Sequence, residues 1–127
     1  MAWVDIVLML ALIQFFVFAI YVGRARGQHG ISPPAMAGHP VVERWLRVQG
    51  NTLEMLMLFV PGMWAAAHYW KPEYMAAVGS LFIVGRALYA VGYVSDPAKR
   101  SMGFLLSILP AAFLVLAALV GAVRSVM

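Results

Sequence analysis

Apolar positions along the chain fall into four long runs, separated by short stretches rich in proline, glycine and charge. The runs extend from about Trp3 to Val22, Val41 to Trp70, Tyr74 to Val94 and Ser101 to Val123. Each approaches or exceeds the roughly 20 residues that a helix needs to cross the hydrocarbon of a bilayer. Open strands are excluded at that depth, because their unpaired amides would be left in hydrocarbon. The expected fold is therefore all-α: an integral membrane four-helix bundle forming one domain over residues 1–127. The first run does not read as a signal peptide. No positive charge precedes it, Asp5 lies near its start, and no small-x-small cleavage site follows.

Composition supports lipid as the solvent. The chain is 64% hydrophobic and only 11% charged, more apolar surface than a soluble domain of 127 residues could hide. Cysteine is absent, so the protein has no disulfide, no thiolate nucleophile of its own and no Cys metal site. Any sulfur chemistry must use a thiol brought by a substrate. His29, His39 and His68 are scattered without ligand spacing, so no metal is expected.

Charge then orients the bundle. The first connection carries Arg24, Arg26, His29 and His39, with Arg44 at the next helix start. The third carries Lys99 and Arg100 against Asp96, whereas Lys71 in the second is offset by Glu73. A Lys/Arg excess in two loops on one side reads as membrane orientation, not as a nucleic-acid footprint. It predicts loops one and three in the cytoplasm and both termini on the opposite side.

The second run is interrupted by Arg47-Val48-Gln49-Gly50-Asn51-Thr52-Leu53-Glu54. Charged groups within a membrane helix cost about 2.5–3.5 kcal/mol each on insertion scales, which marks the stretch as a candidate site. Arg47, Asn51 and Glu54 are spaced i, i+4 and i+7, hence on one helix face, and Arg86, Tyr89 and Tyr93 share a face of the third helix. Counting from the turn at Lys71-Pro72, Glu54 and Arg86 lie about 26 and 22 Å deep. The depth match predicts a buried Glu54–Arg86 ion pair, with Arg47, Asn51, Tyr89 and Tyr93 nearer the cytoplasmic mouth. Such residues can stitch helices, and tyrosines can sit in an interfacial belt. Together they exceed what stitching requires: arginine forks bind carboxylates, so a small ligand with several carboxylates fits the set. Pro61 and Pro110 remove backbone bonds within the second and fourth helices, predicting kinks. Gly50, Gly62, Gly79 and Gly85 are expected at close helix contacts.

The run Glu43-Arg44-x-x-Arg47-x-Gln49-x-Asn51-x-x-Glu54 resembles the signature of the MAPEG family, the membrane-associated proteins in eicosanoid and glutathione metabolism. Arg86-x-x-Tyr89-x-x-Gly92-Tyr93 with Arg100 resembles the family's second signature, and Ser32-Pro33-Pro34 matches as well. The pattern is similar to the branch containing cysteinyl-leukotriene synthase and the microsomal glutathione S-transferases. The resemblance spans about residues 24 to 104 and implies a homotrimer with glutathione bound between neighbouring subunits on the cytoplasmic side. It implies that Arg47, Asn51, Glu54, Tyr89 and Tyr93 contact glutathione, that Arg26 and Gln49 reach it from the adjacent subunit, and that Arg86 orients Glu54. Arg100, with Tyr93, would stand near the sulfur as the catalytic pair. Two positions depart from the pattern: Gly27 replaces a second arginine, and Met55 a common tyrosine.

The implied activity is a membrane-bound glutathione transferase that joins glutathione to hydrophobic or lipid electrophiles, with possible lipid-hydroperoxide peroxidase activity. Glutathione would be the co-substrate, membrane lipid the surroundings, and no nucleic acid or metal would take part. Two other readings use the same helices: a non-catalytic lipid-binding or scaffold protein, and a small exporter in which an unpaired Glu54 carries protons.

Overall fold

The computed structural model describes residues 1–127, which form four long helices. Helix α1 spans Ala2–His29, α2 Pro40–Tyr69, α3 Pro72–Ser95 and α4 Ser101–Val126, with a 3₁₀ turn over Pro97–Arg100 ahead of α4. Helices α1, α3 and the segment Pro97–Val126 are long and apolar enough to cross a membrane, so the protein is an integral membrane helical bundle. Helix α2, which carries Glu43, Arg44, Arg47 and Glu54, is not among these three.

The punctuation is local. The expected end of α1 at Val22 is overrun by two turns, so Arg24 and Arg26 lie on the helix and not in a loop. The stop is Gly30, whose φ of 67° suits the left-handed cap and whose N–H bonds the Arg26 carbonyl. Helix α2 starts at Pro40, with the His39 ring nitrogen accepting from the Val41 N–H at 3.2 Å. Pro72 opens α3 after a connection of only Trp70 and Lys71, which forces an antiparallel hairpin. Asp96 caps the 3₁₀ turn by accepting from the Ala98 N–H. Pro61 and Pro110 both sit inside continuous helices.

Fifteen buried residues make the main core, where the Phe59 and Phe82 rings stack at 4.0 Å between α2 and α3. A smaller cluster of Phe18, Val48, Tyr89 and Ala90 lies toward the other end of the bundle. The closest approach joins α3 and α4. A Cβ on Gly85 would lie 2.6 Å from the Leu106 carbonyl carbon, and one on Gly103 would strike the Tyr89 backbone. Gly62 and Gly79 also sit at tight contacts, against Val115 and Met63. Gly50 does not: no atom lies within 4 Å of its missing Cβ.

This topology gathers the C-terminal ends of α1 and α3 with the N-terminal ends of α2 and α4. Arg24, Arg26, Arg44, Arg47, Lys99 and Arg100 therefore share one end of the bundle, and Lys71 and Arg124 the other.

Candidate functional site

At the basic end, α2, α3 and the start of α4 enclose a cavity of about 320 Å³. Arg47 and Asn51 line it from α2, Tyr89 and Tyr93 from α3, and Pro97, Arg100 and Phe104 from the turn and α4. Tyr89 and Tyr93, four residues apart, stack at 5.6 Å and form a continuous aromatic wall. Arg100 is exposed on the 3₁₀ turn and donates one bond, to the Pro97 carbonyl at 3.1 Å. The cavity wall therefore holds two guanidinium groups and no carboxylate, a setting that attracts anions.

Behind this wall lies a polar layer that ties the helices together. Arg86 is fully buried. Its Nε donates to the Ser107 hydroxyl at 3.0 Å; its Nη1 donates to Asn51 Oδ1 at 2.8 Å and to Thr52 Oγ1 at 3.2 Å. The Ser107 hydroxyl in turn donates to the Gly103 carbonyl at 2.6 Å. The guanidinium also faces the Tyr89 ring, 4.3 Å from its centroid, in a cation–π contact. Helix α1 contributes Gln14, whose amide donates to the Ile83 carbonyl one turn before Arg86.

The expected Glu54–Arg86 ion pair does not form. Glu54 is exposed, and Arg86 takes only neutral partners. Depth counting was sound along the helix axis but carried no information about rotation around it. Glu54 follows Asn51 by three residues, about 300° of turn, which places it roughly 60° further from the buried stripe of Met55, Phe59 and Ala66. Arg86 consequently does not orient Glu54; Asn51, at the stripe's edge, takes that place. Sequence reasoning missed Thr52, Ser107 and Gln14. Ser107 and Gln14 were legible only as isolated polar residues in apolar runs, and Thr52 only as an unremarked member of the polar stretch Arg47 to Glu54.

The other expected residues divide cleanly. Arg47, Asn51, Tyr89, Tyr93 and Arg100 come together at the cavity. Arg26 and Gln49 are not among its lining residues. Arg26 instead fastens the α1–α2 connection, donating to the carbonyls of Ala35 at 2.6 Å and Ile31 at 3.4 Å. Arg44 closes the end of α3 by donating to the Val94 carbonyl at 3.0 Å. Met55 packs in the main core, not at the cavity.

A membrane helical bundle with an anion-attracting, tyrosine-walled cavity at its basic end is thus the class of protein that fold and site define. The chain belongs to the MAPEG family, whose pattern it matches over residues 5–120. It is 44% identical to an uncharacterised protein of Synechocystis sp., over 92% of this chain and 85% of that one. It is 37% identical to human microsomal glutathione S-transferase 2, over 85% of this chain and 74% of the relative. Leukotriene C4 synthase of Cavia porcellus is 35% identical over 65% of this chain, which spans about 55% of the synthase.

Proposed function

We propose that this protein is a membrane-bound glutathione transferase that joins glutathione to hydrophobic electrophiles. The observation that carries the reading is the convergence of Arg47, Asn51, Tyr89, Tyr93 and Arg100 on one cavity without an acidic residue in its wall. Glutathione carries two carboxylates, and the guanidinium of Arg47 and the amide of Asn51 supply donors for them. Glu54 lies exposed on the same outer side of α2 as Arg47, where its carboxylate can meet the tripeptide's ammonium group. Arg26 and Gln49, absent from this cavity, are assigned to the copy of the site formed with an adjacent subunit of a trimer.

The sulfur is placed beside Arg100 and Tyr93. A free thiol has a pKa near 8.5, and the thiolate is the nucleophile. A guanidinium next to the sulfur favours the charged form; lowering the pKa by two units corresponds to about 2.7 kcal/mol. The thiol proton leaves to water, and the thiolate forms a C–S bond while the electrophile loses its leaving group with the bonding pair. In the peroxidase variant, two glutathione thiols reduce a hydroperoxide to an alcohol and water, and the thiols become a disulfide. Phe104 on the cavity wall, and the apolar groove of about 500 Å³ past Leu106, Leu109 and Pro110, support a lipid-soluble second substrate. Loops one and three are assigned to the cytoplasm, where the basic end would meet glutathione.

The same groove favours a second reading, lipid binding without turnover. The exporter reading needed a carboxylate free of arginine, and Glu54 is free of Arg86. It faces outward, however, and lines none of the cavities described here. Calorimetry of the purified protein with glutathione tests the site, and Arg47→Ala should weaken binding at least tenfold while Arg124→Ala leaves it unchanged. Equal effects would remove the assignment. Binding without conjugation or peroxidase turnover would favour the lipid-binding reading.

A further inference from the structure

Arg86 is placed unlike a simple helix cross-link. Its side chain is completely buried, yet its three hydrogen-bond partners, Asn51, Thr52 and Ser107, are all neutral. Its second terminal nitrogen, Nη2, is buried with no partner at all. No carboxylate lies within ion-pair distance, and the nearest compensation is the face of the Tyr89 ring. An ion taken out of water with incomplete compensation is among the costliest features of a folded protein. A cross-link between α2, α3 and α4 requires donors; it does not require a net charge.

The placement of its neighbours explains what the charge can do. Asn51, which accepts from Nη1, and Tyr89, which covers the guanidinium, are both cavity-lining residues. Arg86 therefore stands one side chain behind the wall whose exposed cations are Arg47 and Arg100. In that low-dielectric position its field reaches the cavity with little screening. We infer that Arg86 is a positioning residue whose buried positive charge has its counter-ion in the anionic group of the ligand, so that the unliganded protein holds an electrostatic debt that binding cancels. The charge draws a carboxylate toward Asn51 and fixes the Asn51 amide, its oxygen turned to Nη1 and its N–H₂ free for the ligand. The ligand's identity as glutathione rests on the proposed function; the need for an anion rests on Arg86 alone.

The test compares wild type with Arg86→Gln and Arg86→Met in detergent or nanodiscs. Three ligands are used: glutathione, glutathione with both carboxylates esterified, and glutarate as a dianion without a thiol. Arg86→Gln keeps an amide donor where Nε stood, toward Ser107, without the charge, and Arg86→Met keeps the bulk alone. The expected result is a ligand-free melting temperature that holds or rises in at least one variant, with glutathione affinity lowered at least tenfold. Affinity for the esterified tripeptide should change less than threefold. A purely structural arginine gives a different pattern. Both variants would melt lower, and any folded fraction would bind glutathione as wild type does; that result overturns the inference. If both variants fail to fold, chains that keep Arg86 decide. Equal binding of glutathione and its diester would overturn the inference; a preference for the dianion of at least tenfold that persists in Arg47→Ala and in Arg100→Ala would support it, and one abolished by either substitution would overturn it. Failure of the glutathione reading looks different: wild type would bind glutarate as tightly as glutathione, with Arg86 still needed for both. No ligand-induced stabilisation by either anion would sink both ideas together.

Discussion

Replacing Ser107 by alanine removes the hydroxyl that accepts from Arg86 Nε at 3.0 Å, at a position with no solvent exposure. Neutral interhelical bonds in membrane proteins average only about 0.6 kcal/mol, because the unfolded chain in lipid also finds partners. A bond to a charged donor is worth more, about 1.5–3 kcal/mol in soluble proteins, and a buried orphan donor adds its own cost. With Nη2 already unpaired, Arg86 has no spare partner to recruit. The expected destabilisation lies between those scales, at about 1–2 kcal/mol. It should vanish when Ser107→Ala is made in an Arg86→Met background, where no donor is left to orphan. A double-mutant cycle on reversible unfolding in mixed micelles measures this directly, and the coupling should be about 1–2 kcal/mol. Energies that add to within about 0.5 kcal/mol would refute the claim that Arg86 organises the α2–α3–α4 junction.

Arg100 bonds only a carbonyl of its own turn and is exposed, so Arg100→Ala should change stability by less than about 0.5 kcal/mol. Conjugation of a chlorinated aromatic by glutathione should nevertheless fall about 25-fold at pH 7, the ratio of thiolate fractions for thiol pKa values of about 6.5 and about 8.5, with affinity largely kept; unchanged turnover would reduce Arg100 to a loop charge. Gly103→Ala drives a methyl into the Tyr89 backbone, and overpacking of that kind costs roughly 1–3 kcal/mol. Both melting temperature and ligand affinity should drop, because Tyr89 is at once helix contact and cavity wall; loss of neither would show that α3 and α4 separate without penalty. Arg44→Ala removes the donor at the Val94 carbonyl, so hydrogen exchange should rise in the last turn of α3 and the Pro97–Arg100 turn while α1 stays protected.

Much of this protein is a direct consequence of its chain. Four apolar runs of membrane length leave helices as the only way to satisfy the backbone in lipid, and Pro40, Pro72 and the connections between runs set where three of those helices begin. The 3.6-residue period also placed Arg47 with Asn51, and Tyr89 with Tyr93, before any packing was considered, since faces are a local property of one helix. The end of α1 is different: the expected stop at Val22 falls two turns short, because the helix runs on through Gly23 and Gly27, and a glycine inside a helix costs only about 1 kcal/mol, which neighbouring turns can absorb.

What the chain alone left undecided is the rotation of each helix about its axis, and with it the partner of every buried polar group. That angle is fixed by the whole bundle: Gly85 and Gly103 bring the α3 and α4 backbones together, and the Phe59–Phe82 stack sets α2 against α3. Once those contacts close, Asn51, Thr52 and Ser107 are turned to Arg86 and Glu54 is turned away. Rise along a helix can be counted residue by residue, because the backbone repeats. Azimuth cannot, because it is the joint solution of packing four side-chain surfaces at once, and here a rotation of about 60° separates an expected ion pair from a guanidinium left without a carboxylate.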